Sequence, residues 1–327
     1  MLPAFSYVRP RTLDEALEAA AGDGARIHAG GSDLIGCLQD GVLDAAKVVS
    51  LGSLDSLRGI SVTRDGGLRI GAMTTVADVA ASADVRDRAA ALSDAASQIA
   101  SPQLRNQGTI GGNLCQKPRC WYYRGDFHCL RKGGDLCYAF DGENQYHCIF
   151  GGDACYIVHP SDTAPALAAL GAAVRVTGPR SSRSIPLDQL HVPPSTDPQR
   201  ETVLEPGEIL TEIVVPAAEP GTRSSYRKIR ERAAWDFAIA GVALALTFDG
   251  GRVSAARVFL SGAAPVPWRA RGVEDAITGR SLDTSTIAAA ADAAVAGAEP
   301  LANNGYKVPL FRGLVAEELE KMAGPRD

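Results

Sequence analysis

Gly108 to Cys155 constrains this chain more than any other stretch. It opens as a glycine-rich loop, Gly108-Thr109-Ile110-Gly111-Gly112-Asn113-Leu114, and runs directly into a segment holding six of the chain's seven cysteines. Missing side chains let backbone N–H groups approach a ligand and converge on an anion such as a phosphate. The same pattern also serves as a plain turn. The cysteines are harder to assign to chance, because they lie among Arg, Lys, Asp, Gly and Tyr with little aliphatic material in which thiols could hide. Four explanations stand: disulfides, a structural zinc, an iron–sulfur cluster, or buried thiols acting as small apolar groups.

Composition narrows the choice. With 327 residues, 46% hydrophobic and 22% charged, the chain is long enough for more than one domain with its own core. A net charge of −5 argues against nucleic acid or an anionic membrane as the main partner, since both need a broad basic surface. No run of eighteen apolar residues occurs, and MLPAFSYVRPRTLDEALEAA lacks the basic-then-apolar order of a signal peptide. The expected setting is therefore cytoplasmic and without membrane insertion, with export beside a signal-bearing partner left open. A reducing compartment and an odd cysteine count both disfavour disulfides, which shifts weight to metal ligation.

Along the chain, Thr12 reads as the cap of a helix with apolar Leu13, Ala16, Leu17 and Ala20. Strand Arg26–Ala29 ends in a second glycine turn, Gly30-Gly31-Ser32-Asp33, where Ser32 or Asp33 either caps a helix or meets a phosphate or sugar. Lys47–Leu51 is a buried strand, and Gly59–Val62 and Leu68–Gly71 form a hairpin. A helical stretch from Thr75 to Ala100, broken near Ala83, stops at Ser101-Pro102 and gives way to a long loop. Beyond the cysteines come strand Cys155–Val158, a helix from Ser161 to Gly171, strand Val174–Thr177, a helical turn at Pro186–Leu190 and strand Ile209–Pro216. Ala217–Gly221 is a linker. The remainder reads as strands 224–231, 238–248 and 253–260 and helices near 267–277, 284–297 and 309–323.

Several chemistries are missing. No G-x-G-x-x-G follows an early strand, and there is no Walker A lysine, no G-x-S-x-G and no H-E-x-x-H. The five histidines, at 28, 128, 147, 159 and 191, are scattered and read as structural.

Ala29-Gly30-Gly31-Ser32-Asp33-Leu34 and Asn106–Leu114 resemble the two flavin-contacting loops of the FAD-binding medium subunit of molybdenum hydroxylases, the relatives of xanthine and carbon monoxide dehydrogenases. Ser161–Pro165, Leu204–Leu210 and Tyr226-Arg227-Lys228 are similar to that family in the same order. The resemblance implies an α+β architecture: a two-lobed, vanillyl-alcohol-oxidase-like (PCMH-type) FAD domain over 1–217, with lobes of about 1–55 and 56–217, then a C-terminal domain over 222–327 with a three-stranded antiparallel sheet. It implies that Ala29, Gly30, Gly31, Ser32, Asp33 and Leu34, with Gly108, Thr109, Ile110, Gly111, Gly112 and Asn113, hold the FAD diphosphate and border the flavin. By the same resemblance Asp162 bonds the cofactor, Leu204 lies near the isoalloxazine and Lys228 near its polar edge, with Arg227 or Arg230 as substitutes for Lys228.

The insertion over about 115–155 resembles that of 4-hydroxybenzoyl-CoA reductase and periplasmic aldehyde oxidoreductase, which carry an additional [4Fe–4S] cluster. That match implies Cys120, Cys129, Cys137 and Cys155 as ligands, with Cys148, Cys115 and Cys37 to spare. Spacing alone does not separate such a cluster from zinc. The implied function is electron transfer in a heterotrimer: a large molybdopterin subunit, a small 2Fe–2S subunit and this flavoprotein, exchanging electrons with a soluble acceptor or donor. This chain is then an oxidoreductase subunit with no catalytic side chains of its own. The alternatives are a stand-alone FAD oxidoreductase with a zinc-stapled loop, and a zinc-stabilised scaffold without flavin.

Overall fold

A computed structural model describes residues 2–324 of the chain. The first sheet comprises β1 (Ser6–Val8), β2 (Ala25–His28) and β3 (Lys47–Ser50) in the order β1-β3-β2, with both pairs parallel. Parallel neighbours need a crossover, and α1 (Leu13–Ala20) and α2 (Leu34–Gln39) supply it. Thr12 caps α1 by accepting from the Glu15 N–H, and Ala16, Leu17 and Ala20 form its buried stripe.

The second sheet is antiparallel: β4 (Ile60–Val62), β5 (Leu68–Gly71), β6 (Ala173–Thr177), β7 (Ser182–Pro186) and β8 (Ile209–Val215), ordered β4-β5-β8-β6-β7. Alternation fixes its faces. Leu68 and Ile70 point into the core, while Arg69 between them points out and forks onto Glu212 at 2.8 Å. Between β5 and β6 the chain forms the helices α3 (Val76–Ala81), α4 (Ala83–Arg88), α5 (Ala90–Ser97), α6 (Pro102–Gln107), α7 (Ile110–Leu114), α8 (Trp121–Arg124) and α9 (Thr163–Ala169). Alanines at 91, 95 and 96 and at 164, 166, 168 and 169 are buried, which lets α5 and α9 approach closely.

The third sheet is β9 (Thr222–Ile229), β10 (Ala240–Asp249), β11 (Arg252–Ser261) and β12 (Trp268–Arg269), in the order β12-β11-β10-β9. Helices α10 (Arg271–Ile277), α11 (Thr284–Ala293) and α12 (Lys307–Ala323) cover one face, with Phe311, Leu314, Val315 and Leu319 packed on Val242, Leu244 and Leu246.

Three expectations need correction, and one strand was not anticipated. The C-terminal sheet has a fourth, two-residue edge strand, because Trp268 and Arg269 pair with Leu260 and Phe259. Cys155–Val158 is not a strand: this segment pairs with no ladder and instead bonds singly to Cys148. The long loop after Ala100 contains α6 and α7, the first capped by Ser101 with Pro102 in its opening turn and the second capped by Thr109. The polar run Ser182–Pro186 forms edge strand β7, its single buried residue Ile185 facing the core. No helix among the described residues is long and apolar enough to cross a membrane.

Candidate functional site

The two glycine turns meet. The Gln107 side-chain amide donates to the Gly30 carbonyl at 2.9 Å, and a Cβ on Gly30 would run into the Gln107 carbonyl oxygen. Gly31 has φ +74° and leaves no room for a side chain beside the His28 ring. These constraints keep the backbone of the β2–α2 turn bare. The N–H groups of Gly30, Gly31, Ser32 and Asp33 have no acceptor among the described residues. The second turn is bonded inward: Gly111 donates to Ala72, Gly112 to the Thr109 hydroxyl and Asn113 to the Thr109 carbonyl.

Between the turns lies a cleft of about 550 Å³, lined by Ala29, Gly30, Gly31, Ser32, Asp33, Leu34, Gly108, Thr109, Gly111, Gly112, Asn113, Asp162 and Leu204. Its volume is that of an ordinary cofactor site, and free backbone donors at one end suit an anionic diphosphate, so the residues fit a dinucleotide such as FAD. Ile110 is wholly buried, and Lys228 is buried with its ammonium on Asp162; neither is among the lining residues. Trp235, Asp236 and Phe237, which carried no signal in the sequence, complete the mouth. Ala100 and Trp235 are both left-handed non-glycine residues, and the Trp235 N–H donates to the Ala100 carbonyl at 2.8 Å.

Asp33 turns toward the cysteine segment. It accepts from the Arg119 guanidinium, from Arg124 at 2.7 Å and from the Lys117 N–H at 2.7 Å. Burial pushes its carboxyl up, but these three donors outweigh that and hold it below the usual carboxylate range. Asn113 Oδ1 accepts from the hydroxyls of Ser161 and Thr163 at 2.6 and 2.7 Å, which ties the second turn to the start of α9. Behind the cleft, Asp162 accepts from Lys228 at 2.7 Å and from the Tyr226 hydroxyl at 2.6 Å. Burial, then the Asp162 charge, raises the Tyr226 phenol well above its ordinary value. Lys228 also donates to the Asp236 carbonyl at 2.8 Å, fixing the loop at the mouth.

Cys120, Cys129, Cys137 and Cys155 line one internal void, with Tyr122, Tyr138, Arg131 and His147 around them. Cys37, Cys115 and Cys148 do not reach it. The void is only about 10 Å³, and no group of three or more His, Cys, Asp or Glu among the described residues is arranged to hold a metal ion. Interaction with the Cys155 thiol brings Cys137 down to about 7, and the same interaction together with burial pushes Cys155 up. By chemistry the donor set, four thiols with no carboxylate among the lining residues, fits a thiolate-ligated group. Burial pushes Cys115 and Cys148 up to about 12.

The segment is also anchored by residues the sequence did not single out. Glu201 accepts from Lys117 and from Arg131 at 2.7 Å, the latter with a nearly enclosed side chain. The density of arginines in the insertion was the visible signal. Nothing marked Glu201 as their partner. His159 and His191, far apart in sequence, stack edge-on with ring centroids 4.0 Å apart.

Residues 3–218 match the family described as the FAD binding domain in molybdopterin dehydrogenase, and residues 224–322 match the CO dehydrogenase flavoprotein C-terminal domain. The chain is 36% identical to the aldehyde oxidoreductase FAD-binding subunit PaoB of Escherichia coli, over 97% of this chain and 98% of that one. It is 30% identical to the carbon monoxide dehydrogenase medium chain of Hydrogenophaga pseudoflava, over 91% of this chain and 88% of that one. A solved carbon monoxide dehydrogenase from Hydrogenophaga pseudoflava superposes with a TM-score of 0.77 at 27% identity, covering 99% of this chain and 100% of that chain. With both halves matched and relatives aligned along nearly its whole length, the chain belongs to the FAD-binding flavoprotein subunits of the molybdenum hydroxylase family of oxidoreductases.

Proposed function

We propose that this chain is the FAD- and [4Fe–4S]-carrying electron-transfer subunit of a heterotrimeric molybdenum-dependent hydroxylase or dehydrogenase. The observation that carries the reading is the convergence of Cys120, Cys129, Cys137 and Cys155 on one void in a segment bonded directly to the cleft wall through Asp33. When bound, FAD supplies two-electron to one-electron conversion and the cluster supplies one-electron transfer. The residues present do the holding. The free N–H groups over 30–33 would hold the diphosphate, Leu204 would border the flavin, and Asp162 and Lys228 would set the charge on that side, within a two-lobed flavin domain over 1–217 followed by a C-terminal domain over 222–327.

Substrate turnover belongs to a large molybdopterin partner, with a small 2Fe–2S partner between, and a soluble acceptor or donor meets this subunit in the cytoplasm. The likeness to an aldehyde oxidoreductase subunit makes aldehydes the first substrates to try on the assembled enzyme.

The test is an anaerobic absorption spectrum of the purified chain, with iron, sulfide, zinc and flavin measured on one sample. FAD with about four iron and four sulfide per chain supports the proposal. FAD with zinc and no sulfide replaces the cluster by a staple, and absence of flavin from a folded sample refutes the reading.

A further inference from the structure

A third anchor on the cysteine segment comes from the C-terminal domain, 160 residues away in sequence. Lys307, the first residue of α12, is wholly buried, and its ammonium donates to the carbonyls of His147 at 3.0 Å, Tyr146 at 3.2 Å and Gly262 at 2.7 Å. Asn304, equally buried, donates to the carbonyls of His147 and Cys148, both at 3.0 Å. The Asn303 N–H donates to Asn144, whose own amide reaches back to the Ala139 carbonyl at 2.9 Å. At the surface the Tyr306 hydroxyl donates to the Gln145 carbonyl at 2.9 Å.

This arrangement is costly. Burial brings the Lys307 ammonium down to about 8, so the fold bears a desolvation penalty that an apolar residue would avoid. What it secures is position. The 144–148 segment carries His147, whose Nε2 lies 3.3 Å from Cys120 Sγ, while the Asn144 amide braces the turn that follows Cys137. Two of the four converging thiols are thus tied to the 303–307 segment as well as to their own loop.

We propose that the 303–307 segment is a strut that fixes the thiol set, with Lys307 and Asn304 as positioning residues for the metal group it holds. The proposal rests on the cluster reading above, and it makes the 303–307 segment necessary for metal loading but not for flavin binding.

The test uses the full chain and two variants. Lys307→Met removes the ammonium at similar length, and Tyr306→Phe removes one surface bond. Iron, sulfide and FAD are quantified, and backbone hydrogen exchange is followed over 137–148. We expect Lys307→Met to lower iron per flavin by about tenfold, the usual scale for losing a residue that supports metal ligands. Exchange over 139–148 should speed while flavin per chain is unchanged, with Tyr306→Phe moving the same way by less. A Lys307→Met chain with wild-type iron-to-flavin ratio and wild-type exchange overturns the proposal, as does loss of flavin in parallel with iron. If Lys307→Met does not fold, Tyr306→Phe decides: unchanged exchange over 144–148 overturns the strut, and faster exchange upholds it. A wild-type chain with flavin but no iron refutes the cluster reading instead, and the strut then stands or falls on the exchange data.

Discussion

The Lys228 ammonium and the Asp162 carboxylate meet at 2.7 Å with side chains 0% and 5% exposed, joining β9 to the start of α9 behind the cleft. A pair so enclosed is worth less in net stability than its breakage costs, because either partner alone is a buried uncompensated charge. Asp162→Ala should therefore destabilise the chain by about 3–5 kcal/mol. Adding Lys228→Met should recover part of that loss. Urea denaturation of the two variants checks it, and a double variant no more stable than Asp162→Ala would contradict the pairing.

Acid should weaken the fold through the buried histidines. Burial brings His191 down to about 4, with its Nε2–H donated to the Leu114 carbonyl, and carries His159 well below 6.5. A folded-state value below the unfolded one means that the unfolded chain takes up protons first. Stability is then full above about 6.5 and falls as pH drops toward 4, by up to roughly 3 kcal/mol for His191 alone. A urea midpoint unchanged between pH 7 and pH 5 would rule this out.

Cys129→Ser should remove iron and sulfide and leave FAD bound. Cys148→Ser and Cys115→Ser should keep both, because neither thiol lines the shared void. Iron analysis of the three variants separates the ligand set from its neighbours, and an iron-free Cys148→Ser chain would mean the set is wrongly drawn.

Gly30→Ala places a methyl group against the Gln107 carbonyl. Relief requires the two turns to part, at a cost on the order of 1–3 kcal/mol, so retained flavin should drop by about tenfold or more. Flavin content after gel filtration measures it; full occupancy would show that the turns separate freely.

Asp33→Asn keeps the shape of the side chain and removes the charge that Arg119 and Arg124 share. The expected loss is about 3 kcal/mol or more, with faster proteolysis within 115–125, since a guanidinium mostly closed to solvent is left unpaired. Proteolysis at the wild-type rate would mean that the insertion is held elsewhere.

Local signals carried most of the fold. Thr12, alternating Leu68 and Ile70, and the periodic helices all announced themselves because each is a short-range pattern. The helical content of 110–114 was hidden by glycines, which lower helix propensity; α7 exists because Thr109 caps it and Ile110 and Leu114 anchor it in the core. At the site, the glycine turns and the clustering of cysteines were legible as motifs, while the choice of four thiols rested on the family resemblance. The carboxylates that organise them were not. Glu201 sits in a polar connection whose sequence says nothing of Arg131, and Lys307 looks like an ordinary helix lysine until its three carbonyls are seen.

The insertion closes its contacts at separations of 86 residues through Asp33, 70 through Glu201 and 160 through Lys307. Each contact comes from a different sheet's neighbourhood, so the loop has nothing to settle on until all three are built. It is the last part of the chain to find its place. Any group held by the thiols is therefore expected to arrive only after the final helix has docked. A chain that lacks the Lys307 contact alone should consequently be yellow but poor in iron.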